Sequence, residues 1–369
     1  MRGDIKDWLA LVSLPGVGCA LIHRLLEAFG TPGAVLAAGK AVSRVEGVGR
    51  QLTSVFTDQL RLSQARLWAD QEYARVCTKD IHLLCSDDPL FPSLLRTIHD
   101  SPVLLYLRGN PDCLKKPSVA VIGSRAATSY GKRVSSMLAG QLARSGVVVV
   151  SGLAMGIDGH AHAGCLEAGG ETVAVLGCGV DVLYPRSHAA LYDKVMESGL
   201  LVSEYPLGTR PEGFRFPARN RIISGLSLGV VVVEATCKSG SLITARLALD
   251  QGREVFAVPG RIDSKKSEGA HRLLQQGAHL MQSAGDVLEE LQLAVSMHQV
   301  KFGRDEDVVH EELSGPEEQL IACIDAYPVD IDELAAKTGL SPGGLHDLLL
   351  RLELKGCIRQ LPGQQYERA

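Results

Sequence analysis

The sequence predicts an α/β protein built on a doubly wound, mainly parallel sheet, and two observations carry that expectation. Short apolar β-runs recur at residues 119–122, 147–150, 172–176, 200–203, 230–233 and 254–258. Helical patterns fall between them, as at 131–144, 188–197 and 242–251. Strands apolar on both faces suit a parallel sheet covered by helices, and alternation of the two elements winds such a sheet. Ligands of these sheets bind outside the carboxyl ends of the strands, so the loops after the β-runs are the places to look for chemistry.

In chain order, residues 1–78 are helical in pattern and contain two similar turns, Leu14-Pro15-Gly16-Val17-Gly18 and Val45-Glu46-Gly47-Val48-Gly49. This predicts a domain of SAM or helix-hairpin-helix type. Its glycines allow sharp turns and expose N–H groups at a helix N-terminus, which can hold a DNA phosphate. A small helical bundle with tight turns explains the same residues and carries more weight. Residues 79–298 are expected to form the Rossmann-like sheet domain. Prolines at 89, 92, 102 and 111 exclude a long helix at its entry, where a single strand is expected at 103–107. Residues 299–314 are polar and poor in core side chains, which predicts a linker. Residues 315–369 read as three helices (316–326, 331–338, 341–355) and a strand pair (358–361, 364–366), a winged helix. Its third helix offers few cations and acidic residues outnumber Lys and Arg across the segment, so protein contact outweighs DNA reading there.

The 369 residues suffice for two or three domains, and their net charge of −4 speaks against a protein that coats nucleic acid everywhere. Any such site must be concentrated. With aromatics at 5%, contact with backbone phosphates is favoured over broad stacking platforms. The nine cysteines are odd in number and never spaced C-x-x-C, so neither a zinc site nor a disulfide framework is expected. The opening MRGDIKDW has no signal-peptide character and the apolar runs fall short of the ~20 residues of a membrane span, which predicts a cytoplasmic protein without a membrane partner.

The first strand of the alternation ends in Gly123-Ser124-Arg125, with no G-x-G-x-x-G, so nicotinamide chemistry is not expected. A glycine admits close approach of a phosphate, the serine donates a hydrogen bond and the arginine offers a planar fork. The fifth run leads to Lys238-Ser239-Gly240-Ser241 and a helical pattern, an anion cradle by its charge, hydroxyls and helix N-terminus. Simple N-capping by Ser239 or Ser241 is the other reading, and no Walker A loop exists. Arg210, Arg215, Arg219 and Arg221 are interleaved with Phe214, Phe216 and Asn220, as tracking of a backbone requires. A solvated loop with the phenylalanines packed beneath is the plainer explanation. Arg261, Lys265 and Lys266 would extend a basic surface. Asp158 reads as an N-cap, and His160 and His162 diverge on a helix, so no metal is expected. No triad or nucleophile elbow is visible, and no catalytic residue or cofactor is expected.

Together the strings VAVIGSR, VVVVSGLAMGIDGHAH, AVLGCGVDVLYP, SEYPLG, FPARNRIISGLS, EATCKSGSLITA and VFAVPG closely resemble the DNA-processing protein A family, DprA or Smf. The resemblance implies a non-enzymatic protein of natural transformation that binds incoming single-stranded DNA, shields it and loads RecA, working as a homodimer. Carried over by position, it places Gly123, Ser124 and Arg125 on a phosphate, with Lys238, Ser239, Gly240 and Ser241 opposite and Arg219, Asn220 and Arg221 nearby. Two departures are His188, where the family often has Asn, and 269–274, where G-x-N-x-L-I is usual. The alternative is a nucleotide-hydrolysing enzyme of the phosphoribohydrolase, lysine decarboxylase-like group. These carry P-G-G-x-G-T-x-x-E, which is missing here, and 240–246 reads GSLITAR without a carboxylate.

Overall fold

The structure is a computed structural model that describes residues 4–293, 314–324, 328–361 and 363–368. The linker expected at 299–314 lies outside the described residues except for Ser314. The chain forms two compact units, one holding the helical front with the large sheet and one holding the C-terminal helices with a small sheet.

The large sheet has nine strands: β1 His82–Cys85, β2 Leu104–Gly109, β3 Ser118–Ile122, β4 Val148–Ser151, β5 Thr172–Val175, β6 Leu200–Ser203, β7 Gly229–Val232, β8 Glu254–Ala257 and β9 His279–Leu280. Their order is β1-β2-β6-β5-β4-β3-β7-β8-β9, antiparallel at β1–β2 and β2–β6 and parallel elsewhere. The six expected runs all become strands. Two strands enter the sheet where one was expected, because β1 is a half-exposed edge strand that pairs only with β2, Leu83 opposite Tyr106. A second difference is the helix Arg215–Leu226, which occupies the stretch read as a loop. Pro217 falls in its first turn, where its missing N–H costs nothing because that turn has no internal acceptor.

Period-two alternation divides the core. Leu104 and Tyr106 of β2, Ala174 of β5 and Leu201 of β6 face one way, packing with Trp8, Leu11, Ile22, Leu25 and Val76 of the helical front. Their neighbours Leu105, Leu107, Val173, Val175, Leu200 and Val202 face the other way, with Leu95, Ile222, Ile223 and Leu226. The helical front therefore covers one face of the sheet and shares its core. Polar contacts fix the seat: Lys79 pairs with Asp181 at 2.6 Å, and the buried Glu72 accepts from the N–H of Leu207 at 2.7 Å and from Arg75 at 2.8 Å. The first glycine hairpin lies in this seam, with Cys19 Sγ 3.0 Å from Glu204.

Chain order fixes where a ligand would go. From β3 the chain runs through β4, β5 and β6 on one side, then returns to place β7 and β8 on the other. The carboxyl ends of β3, β4 and β7 thus surround the switch point, where doubly wound sheets leave a crevice.

The second unit contains helices Gly315–Ala322, Ile331–Thr338 and Pro342–Leu354 and strands β10 Val329–Asp330, β11 Ile358–Leu361 and β12 Gln365–Arg368. Gly339 ends the second helix at φ 66°, a left-handed position that favours glycine, and Ser341 caps the third helix through the N–H of Gly344. Leu320, Leu334, Leu345, Leu349, Leu352 and Tyr366 form its core.

Candidate nucleic-acid interface

A cavity of about 700 Å³ opens at the switch point, lined by Gly123, Ser124 and Arg125 after β3, Ala154 and Asp158 after β4, and Thr236, Ser239, Gly240 and Ser241 after β7. Helix Arg215–Leu226 supplies Phe216, Pro217, Arg219 and Asn220, while Tyr184 and Lys266 arrive from separate loops. Helix Ser241–Asp250 begins here with Gly240 at its N-cap and the Ser239 hydroxyl 3.4 Å from the N–H of Ser241, and its positive end faces the cavity. Ser239 and Ser241 bond each other at 2.7 Å. Arg125 is exposed at the mouth, its guanidinium 5.0 Å from the centre of the Phe216 ring, which stacks on Tyr184 at 5.4 Å. Phe214, 69% exposed, lies 5.4 Å from Arg215. Phe214 is thus not packed beneath a loop, and Phe216 forms a wall.

The floor is built by Asp158 and Arg219, both buried. Asp158 is not an N-cap; Gly156 holds that position. Its carboxylate instead accepts from the N–H groups of Gly152 (3.2 Å), Gly123 and Ala154, clasping the loops after β3 and β4 together. Burial pushes this carboxyl up to about 6, against the opposing pull of Arg219 and the three N–H groups. Arg219 donates through Nη1 to the carbonyls of Gly152 and Val175 and through Nε to Asn220, leaving Nη2 without a partner among the described residues. Burial lowers its guanidinium to about 10, so it is charged at neutral pH. Ser124, a buried residue, likewise makes no side-chain hydrogen bond among the described residues. A nearly buried cation and the hydroxyl of a buried serine with free capacity in one concave site are what an anion satisfies.

The histidines serve the backbone. Leu153 sits at φ 53°, a strained conformation for a branched residue, with no exposed surface. His162 Nε2 accepts its N–H at 3.3 Å and His188 Nδ1 lies 3.2 Å from its carbonyl, so the two rings hold it in place. Among the described residues no cluster suited to a metal occurs. Burial lowers His162 to about 3, so between pH 6.5 and 3 the unfolded chain binds a proton that the folded chain refuses. Stability from this group is complete above 6.5 and falls as pH drops. Asp158 has the opposite sign, gaining stability as pH falls from about 6 to 4. The expected result is that His162→Gln flattens the acid loss and Asp158→Asn steepens it, each by at most about 1.4 kcal/mol per pH unit, in urea titrations from pH 7 to 4.5.

Of the expected site residues, Gly123, Ser124, Arg125, Arg219, Asn220, Ser239, Gly240 and Ser241 come together in the cavity. Two do not. Arg221 points to the opposite seam, pairing with Glu204 at 2.6 Å and Asp100 at 2.9 Å, so its charge fastens the fold and does not face a phosphate. Lys238 lies on the far side of its turn, lining a neighbouring groove with Ile243, Arg246 and Arg272. Lys266, expected with Arg261 and Lys265 to extend a basic surface, does line the cavity, whereas Tyr184 is a lining residue that no sequence signal marks beyond its place in a loop after a β-run.

Residues 82–292, more than half of the chain, match the family model described as DNA recombination-mediator protein A. The chain belongs to that family. The recombination-mediator match is accompanied by one to the DprA winged helix domain at residues 306–364. Protein Smf of Synechocystis is 33% identical over 98% of both chains, and DNA processing protein DprA of Streptococcus pneumoniae is 49% identical over 56% of this chain and 72% of that protein. The structure of DNA processing protein A from Streptococcus pneumoniae superposes with a TM-score of 0.71 at 38% identity, covering 79% of this chain and 99% of that one. That from Helicobacter pylori, described for its single-stranded DNA binding mode, gives 0.52 at 32% identity over 57% and 95%. Among the described residues no helix is long and apolar enough to cross a membrane.

Proposed function

We propose that this recombination mediator holds the backbone of single-stranded DNA in the switch-point cavity, shields the strand and delivers it to a RecA-type recombinase. The observation that carries this reading is the convergence of Arg125, Arg219, Lys266, the Ser124 hydroxyl and the helix N-terminus at Ser241 on one cleft. At about 700 Å³ it has the size of a site for a small ligand, suited to a nucleotide or two of a flexible strand and not to a duplex. Phe214, Phe216 and Tyr184 beside it offer faces for bases. Asp158 is the one carboxylate among the described lining residues and is engaged by three backbone N–H groups, which places binding ahead of nucleotide hydrolysis. The protein is proposed to act in the cytoplasm, as a homodimer, on DNA taken up in transformation or in a related recombination task.

The test is fluorescence anisotropy with labelled oligo-dT and with the corresponding duplex, across salt and without Mg²⁺ or nucleotide. The strand is expected to bind more tightly than the duplex, with a log-log salt slope of about −0.7 per neutralised phosphate. Equal affinity for both would remove the reading.

A further inference from the structure

The C-terminal winged helix has the outline of a duplex reader without its electrostatics. A reader lays its recognition helix in the major groove, its first residues on base edges and its cations on flanking phosphates. Residues 314–369 contain five Lys and Arg against nine Asp and Glu, and all five cations are engaged inside the unit. Lys337 pairs with Glu333 at 2.8 Å, Arg351 with Asp347 at 2.7 Å, Lys355 with the buried Glu317 at 3.0 Å and Arg359 with Glu367 at 2.8 Å. Arg368 donates to the carbonyls of Ile324 and Ile321, at 2.9 and 2.8 Å. The helix that would enter a groove begins Pro342-Gly343-Gly344, with no side chain to reach a base.

That same helix is apolar where a reader is polar. It buries Leu345, Leu349 and Leu352, while Leu350 and Leu354, one turn apart on the outward face, are 54% and 80% exposed. A single exposed leucine needs no explanation, but two in register on the recognition face make a stripe. Glu353 lies on one side of it in the helix and the Asp347–Arg351 pair on the other.

We infer that this face docks a helix of a partner protein that presents leucines or similar aliphatics flanked by Lys and Arg. Charge complementarity selects that occupant. Nucleic acid meets an excess of acids over cations in residues 314–369, and a second copy would set a surplus of four acids against another such surplus. A basic amphipathic helix meets the apolar stripe and the net acidic charge of the segment together, the helix-to-surface mode of peptide recognition.

The experiment uses the full chain and two labelled synthetic helical peptides with the same leucine spacing, one carrying Lys and the other Glu at the polar positions. Wild type and the double variant Leu350→Ser, Leu354→Ser are titrated by anisotropy. Both positions are exposed and net charge is unchanged, so the fold and any general attraction for cations are preserved. The Lys peptide is expected to bind wild type at least tenfold more tightly than the double variant, and the Glu peptide to show no such difference. Equal binding of the Lys peptide to both proteins overturns the inference. So does a double variant that dissociates an oligomer in sedimentation, which assigns the face to a second copy, or one that loses affinity for duplex DNA, which restores the reader.

Discussion

Arg125→Ala is expected to weaken binding of oligo-dT by roughly 10- to 100-fold, the range for a lost hydrogen-bonded charge contact, and to reduce the magnitude of the salt slope by about 0.7. The guanidinium stands at the cavity mouth over Phe216 with no counter-ion among the described residues, so its whole charge is available to a phosphate. Lys238→Ala removes the same charge from the adjoining groove and serves as the control. It is expected to change affinity by about threefold or less, the effect of a screened, distant charge. If the two variants fall together, phosphate contact is spread over both grooves and the cavity is not the site. Wild-type affinity for Arg125→Ala would remove the residue from the interface.

The second large effect is expected at a residue that touches no ligand. Gly156 has φ 78°, and a β-carbon there would stand 2.3 Å from the carbonyl oxygen of Ser124 and 2.5 Å from that of Arg125. Both are backbone atoms and cannot swing aside. Gly156→Ala must therefore strain its own backbone or push the Gly123–Arg125 turn out of place, at a cost of about 2–4 kcal/mol. Urea unfolding should show that loss, and single-strand binding at low urea should fall even where the variant is folded. Gly240→Ala is the contrast, since a β-carbon there meets nothing within 4 Å. A Gly156→Ala protein as stable and as competent as wild type would mean that the turn is not braced from beneath.

How much of this is legible in a sequence depends on whether a residue's surroundings are local. The strands β3 to β8 announce themselves because both faces are buried and each carries a run of apolar side chains with a polar residue at most at one end. β1 is a half-exposed edge strand and β9 is two residues long, and both exist only through their partners Leu104–Gly109 and Glu254–Ala257. Helix Arg215–Leu226 is hidden by Pro217 and by arginines that face both a cavity and a seam. In the site, Gly123 to Arg125 and Ser239 to Ser241 are found by a local rule, that loops after parallel strands bind ligands. Lys238 obeys the same rule and yet turns away, because the direction of a side chain at a tight turn is fixed by tertiary packing. The clasp of Asp158 on Gly123 and Gly152 joins residues from two strands, and no spacing in the chain records it.

Arg219 and Arg221 belong to one helix and differ in direction by about 200° of rotation. The first looks into the cavity and the second pairs with Asp100 and with Glu204, the carboxylate that Cys19 of the helical front also meets. In a screen for recombination both positions would score as essential, for unrelated reasons. Loss at the first would cost affinity and would also leave buried Asp158 and the carbonyls of Gly152 and Val175 without their partner, whereas loss at the second would be a defect of abundance alone.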